Sequence, residues 1–342
     1  MWQLISWGSL FSVFASVTDP NAIRVTFLGT SSGLPTRQRN VSAIAVQFPQ
    51  RSEWWLFDCG EGTQHQLLRL DDLRPSQLRR IFITHMHGDH IYGLPGLLAS
   101  CGLGSTPESI DVYGPPGLED YLKAVLRYSE TRIPYPLRLH TVETGLILQE
   151  PEYSVFCAPL DHRVPAFGYR VVEQDRPGSF DAAKAQADGI PFGPLYGQLK
   201  AGQSITWQGQ SFHGRDYVGD PIPGRKFSYC TDTIFCRNAV DLSRAADLVI
   251  HEATYAEADR ELARRAKHST AAMAAQVAAE AKAHALMLTH FSPRYTPEAP
   301  ITLDDLLAEA QAIFPNTLLA RDRLTYEIPR RIPASVGVLT GV

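Results

Sequence analysis

Four potential metal ligands fall within six residues in Thr84-His85-Met86-His87-Gly88-Asp89-His90. The segment follows the apolar run Ile81-Phe82-Ile83 and leads into Ile91-Tyr92-Gly93. A strand running into a tight turn can aim His85 and His87 at one point, while Asp89 and His90 on the next turn reach a second point nearby. Imidazole and carboxylate suit zinc, and a hydrolytic centre keeps one coordination position open for water. A histidine-rich surface loop or a single structural metal would use the same residue types; H-x-H-x-D-H directly behind a buried strand argues against both.

Ligands aimed in this way need a scaffold. Ile23, Val25 and Phe27 alternate with other residues before Gly29, the period of a half-buried strand ended by a turn. Further strands are expected at 54–57, 80–84, 110–113, 154–158, 167–172, 226–230 and 248–251. Helical spacing covers 117–128 and 257–267, and 269–283 is an alanine-rich run with a Ser/Thr start suited to capping. Strands interleaved with helices, without a long Ser/Gly linker, predict one layered α/β domain over 21–330. Residues 173–200 depart from this: polar, punctuated by Gly and Pro, with Ala182 to Ala187 as their helical stretch, they read as an insertion leaving the core.

The H-x-H-x-D-H segment resembles the signature of the metallo-β-lactamase superfamily. The resemblance implies a four-layer αβ/βα sandwich with a dinuclear site on one edge. It also implies a lone His, an Asp and a last His, each just after a strand. His162 in Pro159-Leu160-Asp161-His162, Asp232 in Cys230-Thr231-Asp232-Thr233 and His290 in Leu288-Thr289-His290 stand where it requires them. By resemblance, His85, His87 and His162 hold one Zn2+, Asp89, His90 and His290 the other, and Asp232 bridges them, giving two zinc ions per subunit. Such a pair shares a water, lowers its pKa towards about 7 and stabilises charge on a phosphoryl oxygen. His65, His140, His213 and His284 match no ligand position and read as structural or surface residues.

The superfamily spans many hydrolases, so the substrate must come from other segments. Phe27-Leu28-Gly29-Thr30 with Gly33-Leu34-Pro35, then Phe57-Asp58-Cys59-Gly60-Glu61-Gly62-Thr63-Gln64, resemble the opening motifs of the ribonuclease Z family. His251-Glu252-Ala253-Thr254 and His268-Ser269-Thr270 resemble two motifs that separate this family from other members. What this resemblance implies is an endoribonuclease that removes 3′ trailers from precursor tRNA, leaving a 3′-hydroxyl on the tRNA and a 5′-phosphate on the trailer. His268 is then the proton donor to the leaving 3′-oxygen, oriented by Glu252 or His251, with Asp89 positioning or deprotonating the attacking water. The insertion corresponds to a flexible tRNA-binding arm, and Gly189, Pro191, Gly193 and Pro194 match its Gly-Pro motif. Arg37, Arg39 and Asn40 lie in a loop similar to the family's P-x-K-x-R-N, with Arg37 replacing the expected Lys, a change that keeps the charge but not the geometry. Family members of this length act as homodimers. A small-molecule phosphodiesterase of the same fold, or an RNA-binding member without activity, are the competing readings; the insertion counts against the first and the complete ligand set against the second.

The bulk properties agree with an enzyme of this kind without requiring RNA. The chain has 342 residues, 44% hydrophobic, and a formal charge of −4, so attraction to nucleic acid must be local or metal-borne. Five cysteines without a C-x-x-C pair argue against a disulfide framework and for a cytoplasmic setting. Residues 1–20 carry no Lys or Arg, are too polar to span a bilayer and read as an N-terminal extension, with 331–342 as a C-terminal tail and no membrane partner.

Overall fold

Strands such as Trp54-Trp55-Leu56-Phe57 are apolar on both faces, so each face must be covered by a separate layer. A computed structural model describes residues 21–330, apart from Gln50 and Ser105, and shows how that is done. The expected extension at 1–20 and tail at 331–342 lie outside the described residues. The first half of the chain forms β1 (Ile23–Gly29), β2 (Ala43–Gln47), β3 (Trp54–Phe57), α1 (Thr63–Leu67), β4 (Leu78–Phe82), α2 (Gly88–Ile91), α3 (Leu94–Leu103), β5 (Ile110–Gly114), α4 (Leu118–Tyr128) and β6 (Leu137–Thr141). Then come β7 (Gly145–Gln149), β8 (Tyr153–Leu160) and β9 (Ala166–Glu173). An excursion follows with α5 (Ala182–Ala187), α6 (Pro194–Lys200), β10 (Ser204–Trp207) and β11 (Gln210–His213). The chain returns through β12 (Lys226–Cys230), α7 (Arg237–Leu242), β13 (Leu248–Glu252), α8 (Arg260–Ala266), α9 (Ala271–Glu280), β14 (Leu286–Thr289), α10 (Leu303–Gln311), β15 (Thr317–Leu319) and β16 (Thr325–Ile328).

Two seven-stranded sheets result, ordered β16-β1-β2-β3-β4-β5-β6 and β15-β14-β13-β12-β9-β8-β7. Between them lies a core rich in aromatic rings: Phe27, Trp55, Phe57 and Phe82 from one sheet meet Tyr153, Tyr169, Phe227 and Tyr229 from the other. The alternate residues of the same strands face outwards. Trp54 and Leu56 pack with Leu94, Leu97 and Leu98 of α3, and Val249, Leu286 and Leu288 pack under the alanines of α9. Side-chain period 2 therefore supplies two cores per sheet, which is the four-layer αβ/βα sandwich.

Each sheet mixes strand directions, and this positions the site. β3 to β6 run parallel, as do β12 to β15, while β8 is antiparallel to β9 and β9 to β12. The carboxyl ends of β3, β4, β8, β12, β13 and β14 thus open to one edge, where ligands bind in open α/β sheets. Among the described residues no helix is long and apolar enough to cross a membrane, and all five cysteines are free.

The excursion between β9 and β12 runs past Lys200 through the β10–β11 hairpin. It has its own small core of Ala185, Ile190, Leu199, Ile205 and Tyr217. Its stem is clamped by a buried ion pair. Glu173, at the end of β9, accepts from Arg225 Nε at 2.8 Å and Nη2 at 3.0 Å, and Arg225 Nη1 donates to the carbonyl of Asn21 at 2.6 Å. Arg330 also donates to Glu173.

Candidate active site

The ligand histidines and aspartates predicted from the sequence converge at the shared edge. His85, His87, His162 and Asp232 form one cluster, and Asp89, His90, Asp232 and His290 a second. In the first, His85 Nε2 and His162 Nε2 lie 3.0 and 3.2 Å from His87 Nδ1. In the second, His90 Nε2 and His290 Nε2 lie 3.4 Å apart and each 3.5 Å from Asp89 Oδ2. Asp232 divides its oxygens between them: Oδ2 is 3.5 Å from His85 Nε2, while Oδ1 is 3.1 and 3.2 Å from His90 and His290. Tetrahedral zinc with bonds of about 2.0–2.1 Å would place its donor atoms roughly 3.3 Å apart, so both clusters fit a bound cation. This is a metal-binding site with one shared carboxylate.

The inward orientation of the rings follows from what their other nitrogens touch. His90 Nδ1 donates to Asp58 at 2.8 Å, His162 Nδ1 to the Lys267 carbonyl at 3.0 Å, and His290 Nδ1 to Thr254 Oγ1 at 2.9 Å. His85 Nδ1 donates to Thr84 Oγ1 at 3.0 Å. Each bond fixes the tautomer that leaves an Nε2 lone pair facing the site. Asp58 is the hub on one side, since it also accepts from Thr84 N at 2.8 Å and from the Tyr229 hydroxyl at 3.0 Å. Asp58, Asp232 and His290 have φ of 56°, 52° and 59°. Each turns sharply off its strand, and non-glycine residues hold that conformation only where the surroundings impose it.

Electrostatics agree with ligation in the first cluster; in the second, burial opposes the charged form of His90, but Asp232, Asp89 and Asp58 raise it well above its usual pKa. Burial, helped by the neighbouring His90, holds the His85 imidazole well below its usual pKa, and burial lowers His87 and His162 too, favouring the neutral form that binds metal. Burial would raise the Asp232 carboxyl, but His290, His90 and His85 together pull it well below the usual range.

Glu252 and His268 stand beside these clusters, with His290 completing a third group. His268 Nδ1 donates to Glu252 Oε1 at 2.9 Å, and Glu252 also accepts from Thr233 N and Thr254 Oγ1, both at 2.6 Å. Burial disfavours the imidazolium, yet Glu252, Asp232 and Asp89 outweigh it and raise His268 to about 9. With Nδ1 engaged, Nε2–H is the donor that remains. The sequence allowed either Glu252 or His251 to orient this ring; the structure brings only Glu252 to it. Neighbours on a strand point to opposite faces, and His251 is buried with Nδ1 on the Glu252 carbonyl at 2.8 Å.

The predicted substrate loop divides in the same way. Arg39 donates to Thr30 Oγ1 at 2.7 Å and to the Ala320 carbonyl at 2.9 Å, and its guanidinium covers Phe291. Asn40 donates through Nδ2 to Glu61 and through its backbone N–H to Asp322. Both therefore hold the loop, whereas Arg37 is exposed. Gly189, Pro191 and Gly193 lie in the turn between α5 and α6, Pro194 opens α6, and none of them belongs to the donor clusters. Among residues the sequence did not single out, Thr84 and Thr254 orient ligands, and the backbone N–H of Gly33 donates to Asp89 Oδ2 at 2.8 Å. An isolated threonine or a backbone amide carries no spacing signal.

Two seven-stranded sheets with this His/Asp centre on their common edge define a metallohydrolase of the metallo-β-lactamase superfamily, and residues 36–267 match that superfamily. The chain is 62% identical over 310 residues to a ribonuclease Z of Acaryochloris marina, covering 90% of this chain and 98% of the relative. It is 61% identical over 309 residues to a ribonuclease Z of Trichodesmium erythraeum, at 90% and 96% coverage. The crystal structure of the short form of human tRNase Z is similar at 30% identity with a TM-score of 0.64, covering 90% of this chain and 99% of that one. The chain belongs to the ribonuclease Z family, and it is an endoribonuclease of the hydrolase class.

Proposed function

We propose that the protein removes 3′ trailers from precursor tRNA with two zinc ions per subunit, in the cytoplasm and as a homodimer. The observation that carries this reading is the His268–Glu252 pair set beside two donor clusters that share Asp232: a proton donor next to a site for an activated water. Zinc held by His85, His87 and His162 and by Asp89, His90 and His290, with Asp232 common to both, would supply a nucleophilic water and stabilise charge on the phosphoryl oxygens. Asp89, held by the Gly33 amide, would position or deprotonate that water. His268 presents Nε2–H to the leaving 3′-oxygen, so the phosphate stays with the trailer and the tRNA keeps a free 3′-hydroxyl.

The arm between β9 and β12 binds the tRNA away from the cut, with Gly189, Pro191, Gly193 and Pro194 exposing backbone and the almost fully exposed Phe192 offering an aromatic face. Arg37 meets phosphate near the cleavage site, and Arg39 and Asn40 hold its loop in place. The test is the chemistry of the ends. Precursor tRNA treated with the purified protein should yield a tRNA extendable from its 3′-hydroxyl and a trailer degraded by a 5′-monophosphate-dependent exonuclease; a 3′-phosphate on the tRNA would reject the mechanism.

A further inference from the structure

A polar cleft of about 620 Å³ lies between the 36–40 loop, α1 and the turn after Ala320, outside the ligand clusters. Arg37, Arg69 and Arg323 line it, and none of the three makes a side-chain hydrogen bond or ion pair among the described residues. His65 also lines it. The one carboxylate in the lining, Asp322, is already committed: Oδ1 accepts from Thr30 Oγ1 at 2.7 Å, and Oδ2 from Asn40 N and Gln66 Nε2, both at 2.6 Å. Three uncommitted guanidinium groups around one hollow are unexpected in a chain whose net charge is −4, because like charges repel unless something negative separates them.

We propose that this cleft is a second anion site that takes a backbone phosphate of the RNA strand, displaced from the phosphodiester that is cut. Guanidinium is suited to that ligand by its planar fork and persistent charge. The connection to the reacting centre is covalent and short. The loop that carries Arg37 begins at Gly33, whose amide holds Asp89 Oδ2, and Arg39 and Asp322 pin its far end. A phosphate drawn into the cleft therefore fixes the register of the strand across the metal centre. The proposal rests on RNA being the substrate, as above, and adds Arg69 and Arg323, which lie in segments distant from Arg37 in sequence, to its recognition.

The test is fluorescence anisotropy of a labelled short oligoadenylate with the full-length metal-loaded protein in a cleavage-slowed His268→Ala background, comparing R69A/R323A with R127A/R132A, which removes the same charge elsewhere. The expected result is affinity lowered about tenfold or more at low salt by R69A/R323A alone. The slope of log affinity against log salt should also shrink by about 0.7 for each phosphate that is no longer neutralised. Equal losses in both double variants, or none in either, would overturn the proposal. So would a cleft that binds orthophosphate through Arg69 and Arg323 while RNA affinity stays unmoved. Failure of the unmutated enzyme to cut precursor tRNA would count against the substrate assignment instead, since the binding comparison needs no cleavage.

Discussion

At the scale of single residues, the site depends on second bonds as much as on the ligands. Asp58 never faces the clusters, yet its carboxylate fixes His90 at 2.8 Å and Thr84 beside it. Asp58→Asn should leave the fold in place and weaken zinc binding about 10- to 100-fold, read by titration against a chelating dye. His268→Ala should lower the single-turnover rate on precursor tRNA by about 10²- to 10⁴-fold with metal content unchanged; full turnover by this variant would remove His268 from the chemistry. The H-x-H-x-D-H ligands are legible in the sequence because one turn holds them consecutively. His162, Asp232 and His290 are legible only through their resemblance to a known order, since a lone residue after a strand has no spacing of its own. The choice of Glu252 over His251 needs the alternation of β13, which decides which neighbour faces the site.

At the scale of elements, strands bearing two apolar faces are legible in place, while α3 is not. Leu94-Pro-Gly-Leu-Leu-Ala-Ser-Cys-Gly-Leu103 mixes Pro and Gly with apolar residues, so no clean helical period shows. The excursion after Glu173 is visible in the sequence only as far as Lys200, because the short β10–β11 hairpin beyond it is rich in Gln, Ser and Thr and looks like loop. Its stem offers a test of stability. Burial opposes the Glu173 carboxylate, but hydrogen bonds and charge from Arg225 lower its pKa on balance. A depressed folded pKa contributes stability above the unfolded value, near 4.3, and that contribution is lost as pH falls through the folded value. Arg225→Met should therefore destabilise the fold near neutral pH by less than the about 3–5 kcal/mol of a fully unpaired buried charge, because Arg330 and Arg176 still donate to Glu173, measured by urea unfolding. Paired replacement of both residues should cost less than the single change.

At the scale of the whole molecule, two sheets put six strand ends at one edge, and the ligands of one site come from both. Metal removal should therefore loosen the join between the sheets: chelation should lower the melting temperature as well as abolish activity, and zinc should restore both. A chain of net charge −4 can still bind RNA where positive groups gather locally, as Arg37, Arg39, Arg69 and Arg323 do around the 36–40 loop. The most direct test of this account is cleavage of an end-labelled precursor tRNA lacking encoded CCA, beside bis-p-nitrophenyl phosphate, by the intact protein and by Asp89→Ala. A single cut at the 3′ end that disappears with Asp89 is the predicted result; hydrolysis of the small ester alone, with the precursor left whole, would contradict it.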